Sequence, residues 1–224
     1  PNSQPPASLD YDFWLGPAAD RPYNEQQVHY NFRFFWDFSG GQMTNWGAHH
    51  IDIAHWGMGM DNSGPLEVHG VAKFHPMNWH EVTEECRITY KYPNDVEMIV
   101  GQKQSDIPMG TTFIGSDGTI HVNRGKLSSK PDPALIKTKL TADDVALYRS
   151  SNHHQNFLDC IKTRELPICD VERGHRSATA CHLGNISCRL NRAIKWDATD
   201  EAIVGDSEAQ EMTHYDYREP WILK

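Results

Sequence analysis

Five short segments rich in β-branched and aromatic residues run through the middle of the chain, and they restrict its fold more than any other feature. They lie at residues 67–74, 86–92, 96–102, 111–114 and 119–122. Turn signals separate them, among them Asp117-Gly118, a dipeptide typical of tight hairpins. Parallel strands would need a helix in each connection, and no helical pattern lies between these segments. The pattern therefore predicts an antiparallel meander.

Helical patterns lie on both sides of these strands. Residues 43–56 have helical spacing, with Thr44 as the predicted N-cap and Gly57 as the predicted stop. Two further helices are predicted at residues 152–163 and 172–192. The fold class expected is α+β, with helices packed on one face of a large, mostly antiparallel, open-faced sheet. A chain of 224 residues with 38% hydrophobic residues can bury such a core as one domain.

Charge and composition exclude several classes of partner. Asp and Glu outnumber Lys and Arg by 30 to 21, which gives a net charge of -9 with no basic run, so no nucleic-acid partner is expected. No stretch approaches the roughly 18 apolar residues of a membrane helix, so no membrane partner is expected. Five cysteines without a CxxC pair predict buried thiols in a reduced chain.

The two ends of the chain have distinct compositions. The chain starts at a proline, and residues 1–6 (PNSQPP) have linker composition, so the sequence is expected to be a piece of a longer protein. Residues 1–13 are predicted as a linker or seam, and residues 14–224 as one domain. The aromatic segment at residues 30–38 predicts a buried strand or irregular structure, and the aromatic tail at residues 215–221 is expected to dock back onto the fold.

The run GGQMTNWGAHHIDIAHW, at residues 40–56, carries the most chemical information. On an α-helix, Asn45 and His49 share a face, with Asp52 and Trp56 further along. A buried polar group costs about 1–3 kcal/mol unless it is paired. This stripe therefore predicts either a substrate pocket with a positioned imidazole, or a His49–Asp52 pair that locks the helix.

Other known site patterns are absent from the sequence. His49 and Asp52 could ligate a metal together, but His55 points away from His49 on a helix, so no metal site is predicted and this pair remains the alternative. No glycine-rich dinucleotide turn follows a strand, and no Walker A loop or G-x-S-x-G motif is present. The residues therefore identify no cofactor-binding group and no serine nucleophile.

The 40–56 run resembles the signature helix of the glucose–fructose oxidoreductase/inositol dehydrogenase/MocA (Gfo/Idh/MocA) family. The resemblance extends over nearly the whole chain, is to the bacterial branch of the family, and concerns only its C-terminal domain. The other matching segments are residues 14–17, 32–37, 115–125, 154–160, 170–186 and 217–221.

The resemblance implies the substrate-binding and oligomerisation domain of an NAD(P)-dependent oxidoreductase that acts on a sugar, polyol or glycoside hydroxyl. The nucleotide-binding Rossmann domain is absent from this sequence. NAD(P) is expected in the full two-domain enzyme, and this chain alone is expected neither to bind it tightly nor to transfer hydride. The expected partners are a carbohydrate substrate, the missing nucleotide-binding domain and further copies of the chain, joined through the open sheet face. The location implied is the bacterial cytoplasm or periplasm.

The resemblance also implies roles for individual residues. His49 matches the general acid/base of the family, and a histidine with a pKa near 6.5 suits that role. Asn45 stands where the family has Asp; it cannot take a proton, but it can orient a hydroxyl. The predicted substrate contacts are Arg33, Trp36, Asp52 and His154.

Two other classes of function stay open from the sequence alone. One is a stand-alone, metal-assisted lyase or hydrolase of oxidised sugars that uses His49. The other is a non-catalytic sugar-binding or assembly module. Metal content would identify the first, and a His49→Ala variant with unchanged turnover and affinity would favour the second.

Overall fold

The computed structural model of the chain describes residues 1–222. Its α-helices are α1 (Tyr11–Leu15), α2 (Ala48–Met58), α3 (His153–Thr163), α4 (Val171–Leu190) and α5 (Ser207–Glu211). Its strands are β1 (Glu67–Lys73), β2 (Glu85–Lys91), β3 (Glu97–Gln102), β4 (Thr111–Ile114), β5 (Thr119–Asn123), β6 (Lys126–Lys130), β7 (Ile194–Asp197) and β8 (Ala202–Ile203). The predicted α+β class is confirmed. None of the helices described is long and apolar enough to cross a membrane.

The chain forms two compact units. Unit 1 comprises Pro1–His49, Ser63–Ile107 and the residues from Ala178 onward, and unit 2 comprises His50–Asn62 and Pro108–Ser177. Each unit has its own antiparallel sheet, with strand order β3-β2-β1-β7-β8 in unit 1 and β4-β5-β6 in unit 2. The meander is confirmed within each sheet, but it does not continue from β3 to β4. Lys103 and Gly110 have positive φ values (56° and 121°) in the connection, so the chain turns there instead of pairing.

The core of unit 1 lies between one face of its sheet and the C-terminal half of α4. Val68, Ile88 and Tyr90 are fully buried on this face, in the alternation that a pleated strand imposes. The Tyr90 hydroxyl donates to the Ala180 carbonyl at 3.1 Å. Gly184 is so close to the Tyr90 hydroxyl that a Cβ at this position would overlap it.

Small residues line one face of α4. Cys181 and Cys188 are buried on the face of the helix that also presents Gly184. Across from them, the Gly70 N–H donates to the Ser187 hydroxyl at 2.8 Å, which requires the helix and β1 to lie very close. The five cysteines are free thiols, as predicted, and Cys86, Cys181 and Cys188 are buried. The predicted burial is wrong for Cys160, which is partly buried, and for Cys169, which is exposed.

The opposite face of the unit 1 sheet is open. Val71 is 54% exposed and Ile99 is 42% exposed, and the residues between them across the strands are His69, Arg87 and Thr89. This arrangement confirms an open-faced sheet with helix packed on one side.

Unit 2 contains the α2 residues 50–58, the three-stranded sheet, α3 and the first part of α4. Gly57 lies directly against the Phe113 ring, and the Thr111 hydroxyl donates to the His50 carbonyl at 3.0 Å, so α2 and β4 pack closely. The predicted β4–β5 hairpin at Asp117-Gly118 is confirmed, with Gly118 at φ 152°.

The aromatic tail docks on the N-terminal part of unit 1, as predicted. The Tyr215 hydroxyl donates to the Trp36 carbonyl at 2.9 Å, and the Arg218 guanidinium donates to the Gly16 carbonyl at 3.0 Å. The Ser3 N–H donates to the Tyr23 carbonyl at 3.0 Å within the first 23 residues. The domain division at residue 13 stays a prediction, and the last two residues of the predicted 14–224 domain lie outside the described ones.

Several elements differ from the sequence prediction. Residues 30–38 form no strand; a 3-10 helix, His29–Phe34, occupies this segment and is followed by turns. β6 lies in a polar segment in which no strand was predicted, and it forms because Ser129 is buried and pairs with Ile120 across the sheet. The short strands β7 and β8 and helix α5 were not predicted. Short 3-10 helices occur at Pro93–Asp95 and Leu135–Lys137.

We expect Gly184→Ala to lower the free energy of unfolding by about 1–3 kcal/mol, because its methyl group would overlap the Tyr90 hydroxyl and lie 3.0 Å from Ile88 Cδ1. Gly174, in the same helix, has nothing within 4 Å of the position of an added Cβ. Gly174→Ala should therefore raise stability by up to about 1 kcal/mol. Urea unfolding of both variants measures the difference; equal shifts would show that α4 does not pack closely at Gly184.

Candidate active site

The polar stripe of the sequence lies on a helix that is continuous from residue 41 to residue 58 and has a π-helical segment, Met43–Gly47, followed by α2. The predicted start and stop are wrong. Thr44 is inside the helix, where its hydroxyl accepts from the Gly40 N–H at 3.1 Å and is 3.3 Å from the Gly41 carbonyl. The helix ends at Met58, and Gly59 follows with a φ of 67°, the left-handed conformation usual after a helix.

The Gly40-Gly41 pair is required by close packing in unit 1. A Cβ on Gly40 would overlap Thr44 and lie 2.6 Å from Asn185 Nδ2, and that Asn185 amide donates to the Gly40 carbonyl at 2.9 Å. Gly41 has a φ of 68°, and a Cβ there would lie 2.6 Å from Val82 Cγ2. The start of the helix is therefore held at a position that only glycine can occupy.

Asn45 lies in the π-helical segment, and His49 is the second residue of α2. In a π-helix the backbone hydrogen bonds join residues five apart, so the α-helical spacing that predicted a shared face for Asn45 and His49 does not apply in this turn. Single π turns inside α-helices occur frequently at functional sites. The predicted α-helical register is thus wrong at residues 43–47.

His49 presents its imidazole at the surface of unit 1. The residue is exposed, and its ring meets the Trp46 ring edge-on, with centroids 6.1 Å apart and planes at 65°. Trp46 is itself 44% exposed. An imidazole that water can reach and that an indole borders can exchange protons with both solvent and a bound hydroxyl.

Asp52, in unit 2, has a defined hydrogen-bond donor. The buried Ser177 hydroxyl of α4 donates to Asp52 Oδ1 at 3.0 Å. The sequence pattern suggested a partner on the helix of Asp52 itself and did not identify Ser177. The only signal that could have found Ser177 is its place in the family-like segment 170–186.

His55 is a neutral core histidine. It is 1% exposed, and this burial lowers its pKa to about 4, an effect that the nearby Asp52 carboxylate partly opposes. His55, which helical spacing placed away from His49, therefore belongs to the core.

A second polar group in unit 2 surrounds Arg173. Its Nε lies 3.4 Å from Asp170 Oδ2 and 3.9 Å from Asp61 Oδ2, and its Nη1 donates to the Ile168 carbonyl at 2.9 Å. Burial raises the pKa of Asp61, while Arg173 acts in the opposite direction. These residues were not predicted as a group, because Asp61 and Arg173 are 112 positions apart in the sequence.

Arg33 and Trp36 lie in unit 1 and contact groups other than Asn45 and His49. The Arg33 guanidinium lies 3.6 Å from the centroid of the Tyr30 ring. Trp36 donates its backbone N–H to Glu81 Oε2 at 2.9 Å, and its ring lies 4.4 Å from the Arg189 guanidinium. Trp36 lines a cavity, whereas Arg33 does not belong to that lining.

His154 is exposed in the first turn of α3 in unit 2, beside His153, with ring centroids 4.1 Å apart. Within residues 1–222, no group of three His, Cys, Asp or Glu side chains converges to hold a metal ion. The alternative metal pair of His49 and Asp52 therefore has no third ligand among the described side chains.

Comparison with known proteins identifies the family. Residues 1–223 match the family model described as the C-terminal alpha/beta domain of an oxidoreductase family, GFO_IDH_MocA_C2. Among the curated proteins, no significant match is found.

Solved structures share the fold at low sequence identity. An NAD-binding protein from Listeria innocua matches with a TM-score of 0.52 at 16% identity, over 75% of this chain and 51% of that one. An aldose–aldose oxidoreductase from Caulobacter crescentus, complexed with glycerol, matches with a TM-score of 0.51 at 14% identity, over 71% and 49%. A WlbA dehydrogenase from Chromobacterium violaceum, in complex with NADH and UDP-GlcNAcA, matches with a TM-score of 0.50 at 16% identity, over 74% and 48%. The matched region is thus about half the length of these chains.

Burial of His55 predicts a pH-dependent contribution to stability. Its pKa of about 4 in the fold lies below the ordinary 6.5, so the unfolded chain binds more protons between these values. Stability should therefore fall by up to about 3 kcal/mol as the pH drops through this window.

The glutamine in His55→Gln cannot titrate, so the free energy of unfolding of this variant should not show the fall expected from His55 at low pH. At neutral pH the variant should be less stable than the parent chain. Urea unfolding of the parent chain and of the variant, at several pH values between about 7 and 4, gives the difference in slope. Parallel curves would mean that His55 is not kept neutral by burial.

Proposed function

The chain belongs to the Gfo/Idh/MocA oxidoreductase family as its C-terminal alpha/beta domain, and from this premise we propose that it binds the substrate of an NAD(P)-dependent oxidoreductase. The substrate class proposed is a sugar, polyol or glycoside with a hydroxyl to be oxidised, or the corresponding carbonyl to be reduced. The observation that carries the proposal is the exposed imidazole of His49, on a helix whose start is held by Gly40 and Gly41.

The fold neighbours support this substrate class. The Caulobacter crescentus enzyme is an aldose–aldose oxidoreductase complexed with glycerol, and the Chromobacterium violaceum dehydrogenase is complexed with NADH and UDP-GlcNAcA. Glycerol and UDP-GlcNAcA each carry several hydroxyl groups. A domain with the same fold and an accessible histidine is suited to a ligand of that kind.

The residues of this chain do not fit a dinucleotide. Gly57 lies in the last turn of α2, and Gly59 directly follows this helix. A dinucleotide-binding turn, in contrast, follows a strand and opens a helix. NAD(P) would therefore be held by a separate nucleotide-binding domain, and the part of this chain in the reaction concerns the substrate.

His49 would exchange the proton of the substrate hydroxyl. In the direction of oxidation its neutral imidazole accepts that proton, and in the direction of reduction the imidazolium returns it. Asn45 cannot relay a proton, but its amide can hold the hydroxyl by donating or accepting a hydrogen bond. Because His49 is exposed, the proton can pass from the imidazole to water, and no carboxylate is needed at position 45.

Arg33, Trp36, Asp52 and His154 remain the proposed substrate contacts. Asp52 is held by Ser177, which fixes the carboxylate that would accept from a hydroxyl, and Trp36 offers an indole for stacking on a sugar ring.

We expect His49→Gln to lower the turnover number by about 10²–10⁴-fold, because glutamine can hydrogen-bond but cannot accept a proton at neutral pH. Nicotinamide absorbance, with the protein in which this chain works together with its nucleotide-binding domain, measures the turnover. His214→Gln removes another exposed histidine and should leave turnover unchanged.

Calorimetric titration of NAD into this chain alone separates the two parts of the proposal. The expected result is no tight binding. Tight binding would contradict the assignment of the nucleotide site to another domain, and unchanged turnover in His49→Gln would contradict the role of His49.

We also propose that copies of the chain associate through the open face of the unit 1 sheet. Val71 and Ile99 are exposed apolar side chains on that face, with His69, Arg87 and Thr89 between them. Around them lie oppositely charged pairs, Lys91–Glu67 and Lys73–Glu85, which two copies related by a two-fold axis could exchange.

The double variant Val71→Asp/Ile99→Asp should convert an oligomer to monomers, because four like charges would meet in a two-fold interface. Sedimentation equilibrium measures the mass. Val145→Asp, at an exposed position of unit 2 (85% exposed), is the control and should leave the mass unchanged. A parent chain that is monomeric would reject the interface.

A further inference from the structure

The aromatic tail and the N-terminal part of unit 1 together form a pocket of about 350 Å³, which falls within the usual range for small-molecule sites. We name it the Tyr217 pocket. Among the described side chains that line it, Asp37 alone carries a formal charge. The aromatic side chains of the lining are Trp14, Phe32, Phe38, Tyr215 and Tyr217.

The indole of Trp14 is held by two neighbouring rings. The Tyr11 ring stacks on it with centroids 5.8 Å apart and planes at 14°, and the Phe38 ring meets it edge-on with centroids 5.0 Å apart. These contacts fix the indole before any ligand binds, so binding would not have to order it. The Phe38 ring also lies 5.5 Å from the Arg21 guanidinium, so Phe38 already contacts a cation of the fold and the other rings are the ones left for a ligand.

The two tyrosines of the pocket are held by the docking of the tail. The Tyr215 hydroxyl donates to the Trp36 carbonyl at 2.9 Å. The Arg218 N–H donates to the Pro17 carbonyl at 3.1 Å, which keeps the adjoining Tyr217 beside the N-terminal segment. Both tyrosine side chains are nevertheless exposed, so a ligand from solution can reach their rings.

The carboxylate of Asp37 gives the pocket a negative charge. Its Oδ2 accepts from the Arg21 guanidinium at 2.8 Å, but the same guanidinium also donates to Glu81 Oε1 at 2.9 Å. One cation is thus shared by two carboxylates and does not cancel both charges. Burial raises the pKa of Tyr215 and the Asp37 carboxylate raises it further, while Arg189 acts in the opposite direction, so the charge of Asp37 acts at this ring.

Aromatic rings beside a carboxylate favour one chemical class of ligand. The faces of the rings carry partial negative charge and attract a cation. An anion would meet Asp37, and an uncharged ligand would leave that charge without a partner. A primary ammonium is strongly hydrated and needs acceptors for three N–H groups, which ring faces do not supply. A quaternary ammonium has no N–H group, and its methyl groups pack directly on rings.

We propose that the Tyr217 pocket binds a small quaternary ammonium compound. Its trimethylammonium group packs against the rings of Phe32, Tyr215 and Tyr217 and faces the carboxylate of Asp37. This site lies beyond the proposed oxidoreductase function, and it shares no residue with the proposed catalytic and substrate-binding set.

The test is calorimetric titration of the full chain with choline and with its carbon analogue, the alcohol in which a tert-butyl group replaces the trimethylammonium group. One choline should bind per chain, about tenfold more tightly than the analogue, because the two have the same shape and only choline carries a charge. Equal affinities would show that the pocket does not recognise the charge and would overturn the proposal. An absence of saturable choline binding would also reject it.

Three substitutions locate the binding site. Phe32→Leu removes an exposed ring, keeps an apolar side chain and should weaken choline binding about fivefold. Asp37→Asn removes the charge at nearly constant shape and should weaken choline binding about tenfold, with little effect on the carbon analogue. Because Asp37 also binds Arg21, Tyr217→Leu serves if the asparagine variant does not fold, and it should weaken choline binding about fivefold.

Phe157→Leu, the same substitution at an exposed position of unit 2, is the matched control and should keep the affinity of the parent chain. Parent affinity in Phe32→Leu and Tyr217→Leu would place choline elsewhere and overturn the proposal. A peptide with a trimethylated lysine that binds more tightly than choline would overturn it in favour of a protein partner. Failure of the proposed function is recognised separately, by unchanged turnover in His49→Gln.

Discussion

The close approach of α4 to its neighbours in unit 1 is the contact on which the rest of that unit depends. Gly184 and Gly70 leave room for helix and sheet to meet nearly backbone to backbone, and the Ser187 hydroxyl accepts a β1 N–H in that space. From the same helix, Asn185 donates to the Gly40 carbonyl. One helix therefore both closes the core of the sheet and holds the start of the segment that carries His49. Because interiors of proteins are packed as densely as crystals, a single added methyl group would have to move both.

A different kind of interaction organises the N-terminal part of unit 1. Arg21 is mostly buried, and its charge is satisfied by two carboxylates and flanked by two aromatic rings. A buried ion pair is weak support for stability, since desolvation opposes the attraction, but it fixes geometry when all its hydrogen bonds are made. Here that geometry fixes Trp36, Asp37 and Glu81 relative to one another.

Local signals in the sequence predicted most of the elements. Asp117-Gly118 marked a hairpin because glycine accepts the positive φ of the turn. The helical pattern at residues 152–163 predicted α3, and in the structure the Asn152 side chain caps this helix by accepting the Gln155 N–H. The family resemblance rests on a helix with His49 near its centre, and the structure contains that helix. The proposed chemistry of His49 itself remains to be measured. Other features had no local signal: the π-helical turn at residues 43–47 has an ordinary composition, and β6 is too polar to be recognised as a strand.

The sequence by itself determined the α+β class and the antiparallel strand pairings with short turns, because both follow from the period of the side chains and the preferences of glycine, asparagine and aspartate. Only the tertiary structure decided that the strands form two sheets, that Ser177 is the partner of Asp52, and that Arg21, Glu81 and Arg189 meet around Trp36. Ser177 and Asp52 are 125 positions apart, and Arg189 and Trp36 are 153 apart; side chains so distant in the sequence carry no local pattern that would predict their contact. The same limit applies to His55: helical spacing placed it away from His49, but only burial by residues elsewhere in the chain made it part of the core.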